Sequence, residues 1–346
     1  MKKVILALSG GVDSAVAAVL LQRQGFAVHG LNLQTWGEDH QRGNVTDLAE
    51  KLNFPVDFLD VRQTFRDQVV QPFIDAYQGG LTPSPCVFCN RQIKWSEILR
   101  KADQTGAEYV ATGHYARLRQ TEDGLTQIWK AADSAKDQSY MLAFLTQPLL
   151  RRTLLPLGDH TKPHIRQIAA DLGLAVSDQP DSQDLCFLAC SDYRDFLRQH
   201  ADQPFVPGPI FDKDGELLGQ HEGLAFYTIG QRKGLPSSTQ ALYVIEKRST
   251  DNSLIVGFLQ DLGADTFLVR QVNWISGQPL LDQSQIEVKI RYRAVPIEAT
   301  IELQPESRVL VTVSEPLRDI TPGQIAAFYQ GEQLIGGGVI QEVVSN

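Results

Sequence analysis

The chain has 346 residues, 42% of them hydrophobic and 21% charged, with a formal net charge of −9. That length exceeds one ordinary core and no apolar run reaches the span of a bilayer, so several globular domains are predicted and a membrane protein is excluded. Four cysteines are too few for a disulfide framework and point to a reducing cytoplasm, while the acidic balance argues against indiscriminate nucleic-acid binding but permits a local basic surface.

Met1-Lys2-Lys3 followed by Val4 to Leu8 is basic then apolar like a signal peptide, but Ser9-Gly10-Gly11 cuts the run short, which predicts a buried first strand. A helix over Ala15 to Leu21, a strand over Ala27 to Leu33, a polar loop from Trp36 to Gly43, a helix over Val45 to Leu52 and a strand over Val56 to Val61 follow. This alternation implies an α/β fold with a parallel sheet covered by helices. Arg91 to Thr105 is helical in pattern, Tyr109-Val110-Ala111 is a strand ending at Thr112-Gly113-His114, and Thr161 caps a helix with Pro163 at its start and Gly173 at its end.

After His200 the texture changes to turns such as Lys213-Asp214-Gly215 and Asp251-Asn252 between short apolar segments, the signal of hairpins. From Ile286 onward, strands over Ile286 to Arg293, Glu298 to Leu303, Val309 to Val313, Gln324 to Tyr329 and Leu334 to Gln341 predict a small antiparallel barrel or sandwich. The expected domains are residues 1–200, 201–270 and 271–346.

Ser9-Gly10-Gly11-Val12-Asp13-Ser14 lies between the first strand and first helix, where backbone N–H groups and the helix dipole favour an anion. The glycines allow close backbone approach, Ser9 and Ser14 add hydroxyl donors, and Asp13 suits either a helix cap or a magnesium ligand. The loop lacks the Walker lysine, so reaction at the α-phosphate with pyrophosphate leaving is a reasonable alternative to γ-phosphoryl transfer. A glycine turn that merely joins strand to helix is the plain structural alternative. The hexapeptide resembles the PP-loop ATP pyrophosphatases, which adenylate a carbonyl oxygen and displace AMP with a nucleophile. By itself it does not choose among amide-forming synthetases, lysidine-forming tRNA ligases and tRNA thiolation enzymes.

Thr82-Pro83-Ser84-Pro85-Cys86-Val87-Phe88-Cys89-Asn90 is a proline-stiffened run into the Arg91 helix, which predicts Cys89 near a helix N-terminus with a lowered thiol pKa. Cys186 follows the polar Asp181-Ser182-Gln183-Asp184, and Cys190 reads as a small buried residue. Cys86 and Cys89 have the spacing of half a zinc site, but the other two cysteines have the wrong flanks to complete it.

With Ala111-Thr112-Gly113-His114-Tyr115, Lys136-Asp137-Gln138-Ser139-Tyr140, the run from Tyr227 to Leu235, Arg291-Tyr292-Arg293 and Thr321-Pro322-Gly323-Gln324, these segments resemble the bacterial tRNA-specific 2-thiouridylase family almost end to end. The resemblance implies an N-terminal PP-loop, Rossmann-like domain, a small central mixed α/β domain and a C-terminal antiparallel β-barrel that embraces tRNA. It implies adenylation of O2 of the wobble uridine, position 34, with pyrophosphate release, then sulfur transfer from a cysteine persulfide with loss of AMP. Implied companions are ATP, Mg2+, the tRNAs for Glu, Gln and Lys, and a persulfide donor such as a cysteine desulfurase or relay protein. A cytoplasmic monomer and a disulfide bond belong to the same picture.

Carried over by position, Ala7, Leu8, Ser9, Gly10, Gly11, Val12, Asp13 and Ser14 form the ATP loop, Leu33 contacts adenine and Gly113 lies at the nucleotide. Cys89 matches the nucleophile and Cys186 the persulfide carrier. Ser84, Pro85 and Cys86 match the segment facing the target base, and His114, Lys136, Asp137, Gln138, Arg291, Tyr292 and Gln324 match tRNA contacts. Two departures stand out: many relatives carry asparagine at Ser84 and aspartate, a candidate general base, at Cys86, and the segment after Trp36 is shorter than usual. The second exchange alters proton transfer, because an ordinary thiol titrates near 8.5 and an aspartate near about 3.9. Cys86 and Cys89 with Cys186 also have the makings of an iron–sulfur cluster with one open iron, a minority mechanism.

Lys289, Arg291 and Arg293 fall at period two in the Ile286 to Ala294 stretch, which puts them on one strand face and turns Tyr292 inward. Such a face is usually only solvated; with Arg232-Lys233 and Lys136 it becomes a phosphate track for tRNA. Two other classes compete with the sulfurtransferase. An amide-forming synthetase has no use for Cys89 and Cys186, and a non-catalytic iron–sulfur or zinc RNA-binding module has no use for Ser9 to Ser14.

Overall fold

Val4, Ile5 and Leu6 in the strand Lys3–Ala7 are all buried, the pattern of a strand covered on both faces. In the computed structural model, which describes residues 1–37, 42–174, 185–188 and 192–344, this strand is the centre of a five-stranded parallel sheet. The order is Val56–Asp60, Ala27–Gln34, Lys3–Ala7, Tyr109–Ala111, Thr153–Leu154. Chain order reverses on either side of Lys3–Ala7, so a crevice opens beyond the carboxyl ends of Lys3–Ala7 and Tyr109–Ala111, where such sheets bind ligands.

The helix Val12–Arg23 is buried from Val12 to Leu21 with the exception of Asp13 and packs, with Lys162–Asp171, into the core on one face of the sheet. The other face is covered by a helix that begins earlier than the expected Arg91. It runs as Pro85–Cys89, then a π-helical turn Asn90–Trp95, then Ser96–Thr105. Pro85 opens it because a missing N–H and a fixed φ cost nothing at a first helical position. Val87 and Trp95 join the core shared with Ile325, Tyr329 and Leu334 near the C-terminus, while Ile93 joins the core shared with Ile210, Phe226 and Val256. The thiol-bearing helix therefore lies where three parts of the chain meet.

The central sheet is ordered Tyr243–Arg248, Ser253–Gly257, Gly208–Asp212, Leu217–His221, with one parallel pairing between two antiparallel ones. Beyond it, Ala264–Trp274, Arg308–Leu317, Ile297–Gln304, Gln285–Lys289, Ile325–Gln330 and Gln333–Val343 form an antiparallel barrel, closed by pairing of the first with the last. Val309, Val311 and Val313 point inward at the strand period of two.

Two features escape the sequence pattern. A hairpin, Ala116–Gln120 and Thr126–Lys130, leaves the first domain and extends the barrel sheet, with Ile128 opposite Leu334. The strand expected to reach Arg293 stops at Lys289; the Ala294 N–H closes a turn on the Arg291 carbonyl at 3.1 Å, and Pro296 follows, which cannot donate to a ladder. Lys289, Arg291 and Arg293 thus do not share a strand face.

Candidate active site

The loop after Lys3–Ala7 is wound tightly on its own hydroxyls. The Ser9 N–H donates to Ser14 Oγ at 3.2 Å, the two hydroxyls lie 3.2 Å apart, and Ser14 Oγ donates to the Gly11 carbonyl at 3.0 Å. Gly10 takes φ +80°, the left-handed region glycine tolerates. Gly11 precedes the helix without a side-chain cap, so the first N–H groups face the crevice. Gly113 presses on the same place: a Cβ there would stand 3.2 Å from both Asp13 C and Ser14 N. Ala7 ends its strand opposite Leu31 in the neighbouring strand, which runs on through Leu33 at the carboxyl edge of the sheet, and Leu8, Gly10 and Val12 of the loop and helix start are buried.

Asp13 is held by Lys162 and Tyr115. Lys162 donates from Nζ to Oδ1 at 2.7 Å and Oδ2 at 2.8 Å, and the Tyr115 hydroxyl donates to Oδ1 at 2.7 Å. Both oxygens are engaged, so the expected magnesium role does not fit this arrangement. The premise that no lysine serves the loop also fails in space, because the helix Lys162–Asp171 brings one to it. The contact spans 149 positions, and no local signal marks it.

Cys86 and Cys89 are three apart on one helix, hence on one face, and each feels the charge of Cys186 from the short segment 185–188. The Thr35 hydroxyl, just past the strand Ala27–Gln34, hydrogen-bonds to Cys186. The loop Pro83 to Cys89 and the segment around Cys186 thus flank one site. The residues Asp181 to Asp184 and Cys190 lie outside the described ones.

The expected low thiol pKa is reversed. The helix begins at Pro85, which leaves Cys89 a full turn from the free N–H groups, and the core it packs against, with a second core on the neighbouring residues, desolvates it. Burial pushes Cys86 up to about 12 and Cys89 to about 11, and desolvation by neighbouring groups raises Cys186 too, although its surface is exposed. All three are free thiols. Among the described residues no group of three or more Cys, His, Asp or Glu side chains is placed to hold a metal ion.

Lys94 opposes that rise. It lowers the pKa of Cys86, Cys89 and Cys186 alike and also acts on His114. Five positions along an α-helix turn a side chain by about 140° from its partner, whereas the i→i+5 closure of a π turn brings it back overhead. The π-helical Asn90–Trp95 therefore carries Lys94 round to the Cys89 face. Sequence periodicity, read as α-helical, conceals this residue.

His114 follows Gly113 in the chain and shares the field of Lys94 with the thiols. Its Nδ1 lies 2.7 Å from Thr112 Oγ1, its ring packs on Trp95 at 5.4 Å, and burial with the Lys94 charge holds its pKa well below the ordinary value. It is a neutral imidazole at neutral pH.

The remaining expected contacts divide. Asp137 is buried, accepting from the Ala131 and Ser139 N–H groups at 2.9 and 3.2 Å and from Ser139 Oγ at 2.8 Å, so its carboxylate organises its own loop. Gln138 Oε1 accepts from the Tyr115 N–H at 2.9 Å, while Lys136 beside it is half-buried. Tyr292 lies 6.2 Å from the Tyr140 ring and beneath Lys289. Arg291 is paired with Asp319 at 3.1 Å, and Gln324 reaches the carbonyls ahead of Ser84 and Pro85.

Family models match residues 2–190 as a tRNA methyl transferase HUP domain, 194–258 as a tRNA methyl transferase PRC-barrel domain and 264–340 as an aminomethyltransferase beta-barrel domain. The tRNA-specific 2-thiouridylase MnmA of Chloroflexus aurantiacus is 42% identical over 353 residues, covering 98% of each chain. That of Natranaerobius thermophilus is 40% identical over 358 residues, covering 98% of this chain and 97% of the relative. Among solved structures, a 4-thiouridine synthetase–RNA complex with bound ATP shares 16% identity over 57% of this chain and 50% of that one, with a TM-score of 0.36, too slight a likeness to carry an argument. Identity of about 40% along nearly the full length of several such relatives, with the three domain matches in a single chain, is decisive: the chain belongs to the tRNA-specific 2-thiouridylase family.

Proposed function

We propose that this chain uses ATP to replace O2 of the wobble uridine of tRNA with sulfur. The observation that carries the reading is the meeting of Cys86, Cys89 and Cys186 beside a phosphate-binding loop, joined to it through Lys94, His114 and Gly113. Names of the family models mention methyl transfer, but methyl transfer needs neither an anion loop nor paired thiols.

In this reading the N–H groups and hydroxyls from Ser9 to Ser14 hold the phosphates, and Lys162 supplies the cation that the loop itself lacks. Uridine O2 attacks the α-phosphorus and pyrophosphate leaves. The terminal sulfur of a Cys186 persulfide attacks C2, AMP departs, and the Cys89 thiolate takes the Cys186 sulfur. That releases the thiolated base and leaves a Cys89–Cys186 disulfide, which a thiol reductant resets with two electrons. Cys86, held protonated by burial, does not replace a basic aspartate; it presents a neutral S–H toward the base. Lys136, Lys289 and Tyr292 line the approach for RNA, and a desulfurase or relay protein loads Cys186.

The test incubates purified protein anaerobically with wobble-uridine tRNA, α-labelled ATP and a persulfide donor, reading nucleosides by mass spectrometry. AMP, pyrophosphate and 2-thiouridine in equal amounts are expected. ADP as the product, or sulfur at another position of the base, overturns the reading.

A further inference from the structure

The barrel turn Thr321-Pro322-Gly323-Gln324 is fastened to the segment that leads into the thiol helix. Gln324 Nε2 donates to the Thr82 carbonyl at 2.9 Å and the Pro83 carbonyl at 3.2 Å, and the Thr82 N–H donates to the Pro322 carbonyl at 3.0 Å. Gly323 permits this closeness: at φ +94°, a Cβ would stand 3.0 Å from both Thr82 N and Thr82 O. The two carbonyls lie outside any helix or strand, so they need a donor from elsewhere, and Gln324 is that donor.

The turn itself is braced from behind. Arg291 pairs with the Asp319 carboxylate at 3.1 Å and donates from Nη2 to the Asp319 carbonyl at 3.1 Å and to Thr321 Oγ1 at 2.8 Å. On the other side, the Tyr140 hydroxyl donates to the Ile325 carbonyl at 3.0 Å and lies within hydrogen-bonding reach of Ser84. The barrel thus grips the chain immediately before Ser84, Pro85 and Cys86.

We propose that Gln324 is a positioning residue for the thiols, setting the entry of the Pro85 helix and with it Cys86 and Cys89. The placement rests on these contacts alone; its consequence for turnover rests on the thiolation reading. A barrel of this kind does more than receive RNA. It holds the reactive segment in register with the sheet, and Arg291 acts through it.

The test uses the full-length Gln324→Ala and Gln324→Glu proteins without ATP or tRNA, and follows iodoacetamide labelling of Cys86 and Cys89 by peptide mass spectrometry. Both thiols are expected to label about fivefold faster, the opening that loss of the shared Gln324 hydrogen bonds allows. The Glu variant sets a carboxylate against two carbonyl oxygens and is expected to label at least as fast as the Ala variant. Asp319→Asn, which loosens the brace without touching the segment, is expected to shift labelling in the same direction by less. In thiolation assays kcat falls while KM for tRNA holds. Labelling at wild-type rates in all three variants, with only KM for tRNA raised, overturns the proposal and makes Gln324 an RNA contact. If instead labelling accelerates but wild-type protein never thiolates RNA, the thiolation reading fails and the positioning role stands.

Discussion

Lys162 holds both carboxylate oxygens of Asp13, at 2.7 and 2.8 Å, from a helix that begins 149 positions further along the chain. The lysine is buried and the aspartate is about one-third exposed, so the pair is only partly screened. Its position at the start of the Val12–Arg23 helix makes it the charged rim of the phosphate loop.

Replacing Lys162 with Met leaves Asp13 without its cation and sets an unpaired carboxylate beside bound phosphates. Thermal unfolding is expected to show a loss of about 1–3 kcal/mol, discounted for the exposed aspartate. Tight ATP binding is lost with it, read by equilibrium dialysis. Wild-type affinity in a folded Lys162→Met protein would show that the lysine serves the fold alone.

On the thiolation reading the two distant cysteines are expected to have separable duties. Cys186→Ser is expected to abolish protein-bound persulfide and thiolation while ATP binding persists. Cys89→Ser is expected to stop thiolation and let persulfide accumulate on Cys186, as counted by cyanolysis after loading with a persulfide donor. Equal persulfide loss in both variants contradicts the assignment.

Thiol reactivity tests the role of Lys94. With Cys89 raised to about 11, its alkylation rate climbs by about tenfold per pH unit through the neutral range. Removing a cation raises a thiol pKa further, so Lys94→Met is expected to move the profile to higher pH and slow labelling several-fold at mildly alkaline pH. Lys94→Arg keeps the charge and is expected to restore the profile. Superimposable profiles for wild type and Lys94→Met would remove Lys94 from the site.

His114 predicts an acid limb in stability. Its folded pKa lies well below that of an unfolded histidine, so the unfolded chain takes up the proton first as pH falls. Stability from this group is complete above about pH 6.5 and declines by up to about 1.4 kcal/mol per pH unit below it. His114→Gln is expected to flatten urea-unfolding free energies between neutral pH and about pH 5; an unchanged slope assigns that limb to other groups.

Much of the architecture is legible along the chain because short-range rules write it there. The apolar run from Val4 and the glycine loop after it mark the first strand and its tight turn, and alternating valines mark the barrel strand Arg308–Leu317. The hairpin Ala116–Lys130 was not legible as part of the barrel, because its partner Gln333–Val343 is a sheet edge over 200 positions away. Chemical identity is likewise local: the cysteines and the loop, with the other motifs, carry the family resemblance without a fold.

What only the tertiary structure decided are quantities set by distance and dielectric. A helix start argues for a lowered Cys89 pKa, yet burial where two cores converge outweighs the dipole and raises it. A period-two pattern puts Lys289, Arg291 and Arg293 on one face, yet the chain turns at Arg291 to pair with Asp319. The loop's missing lysine is missing only in sequence, since Lys162 stands beside it in space. Backbone preference acts within a few residues and can be read from their order; desolvation and charge act through space, and their signs exist only once the chain has folded.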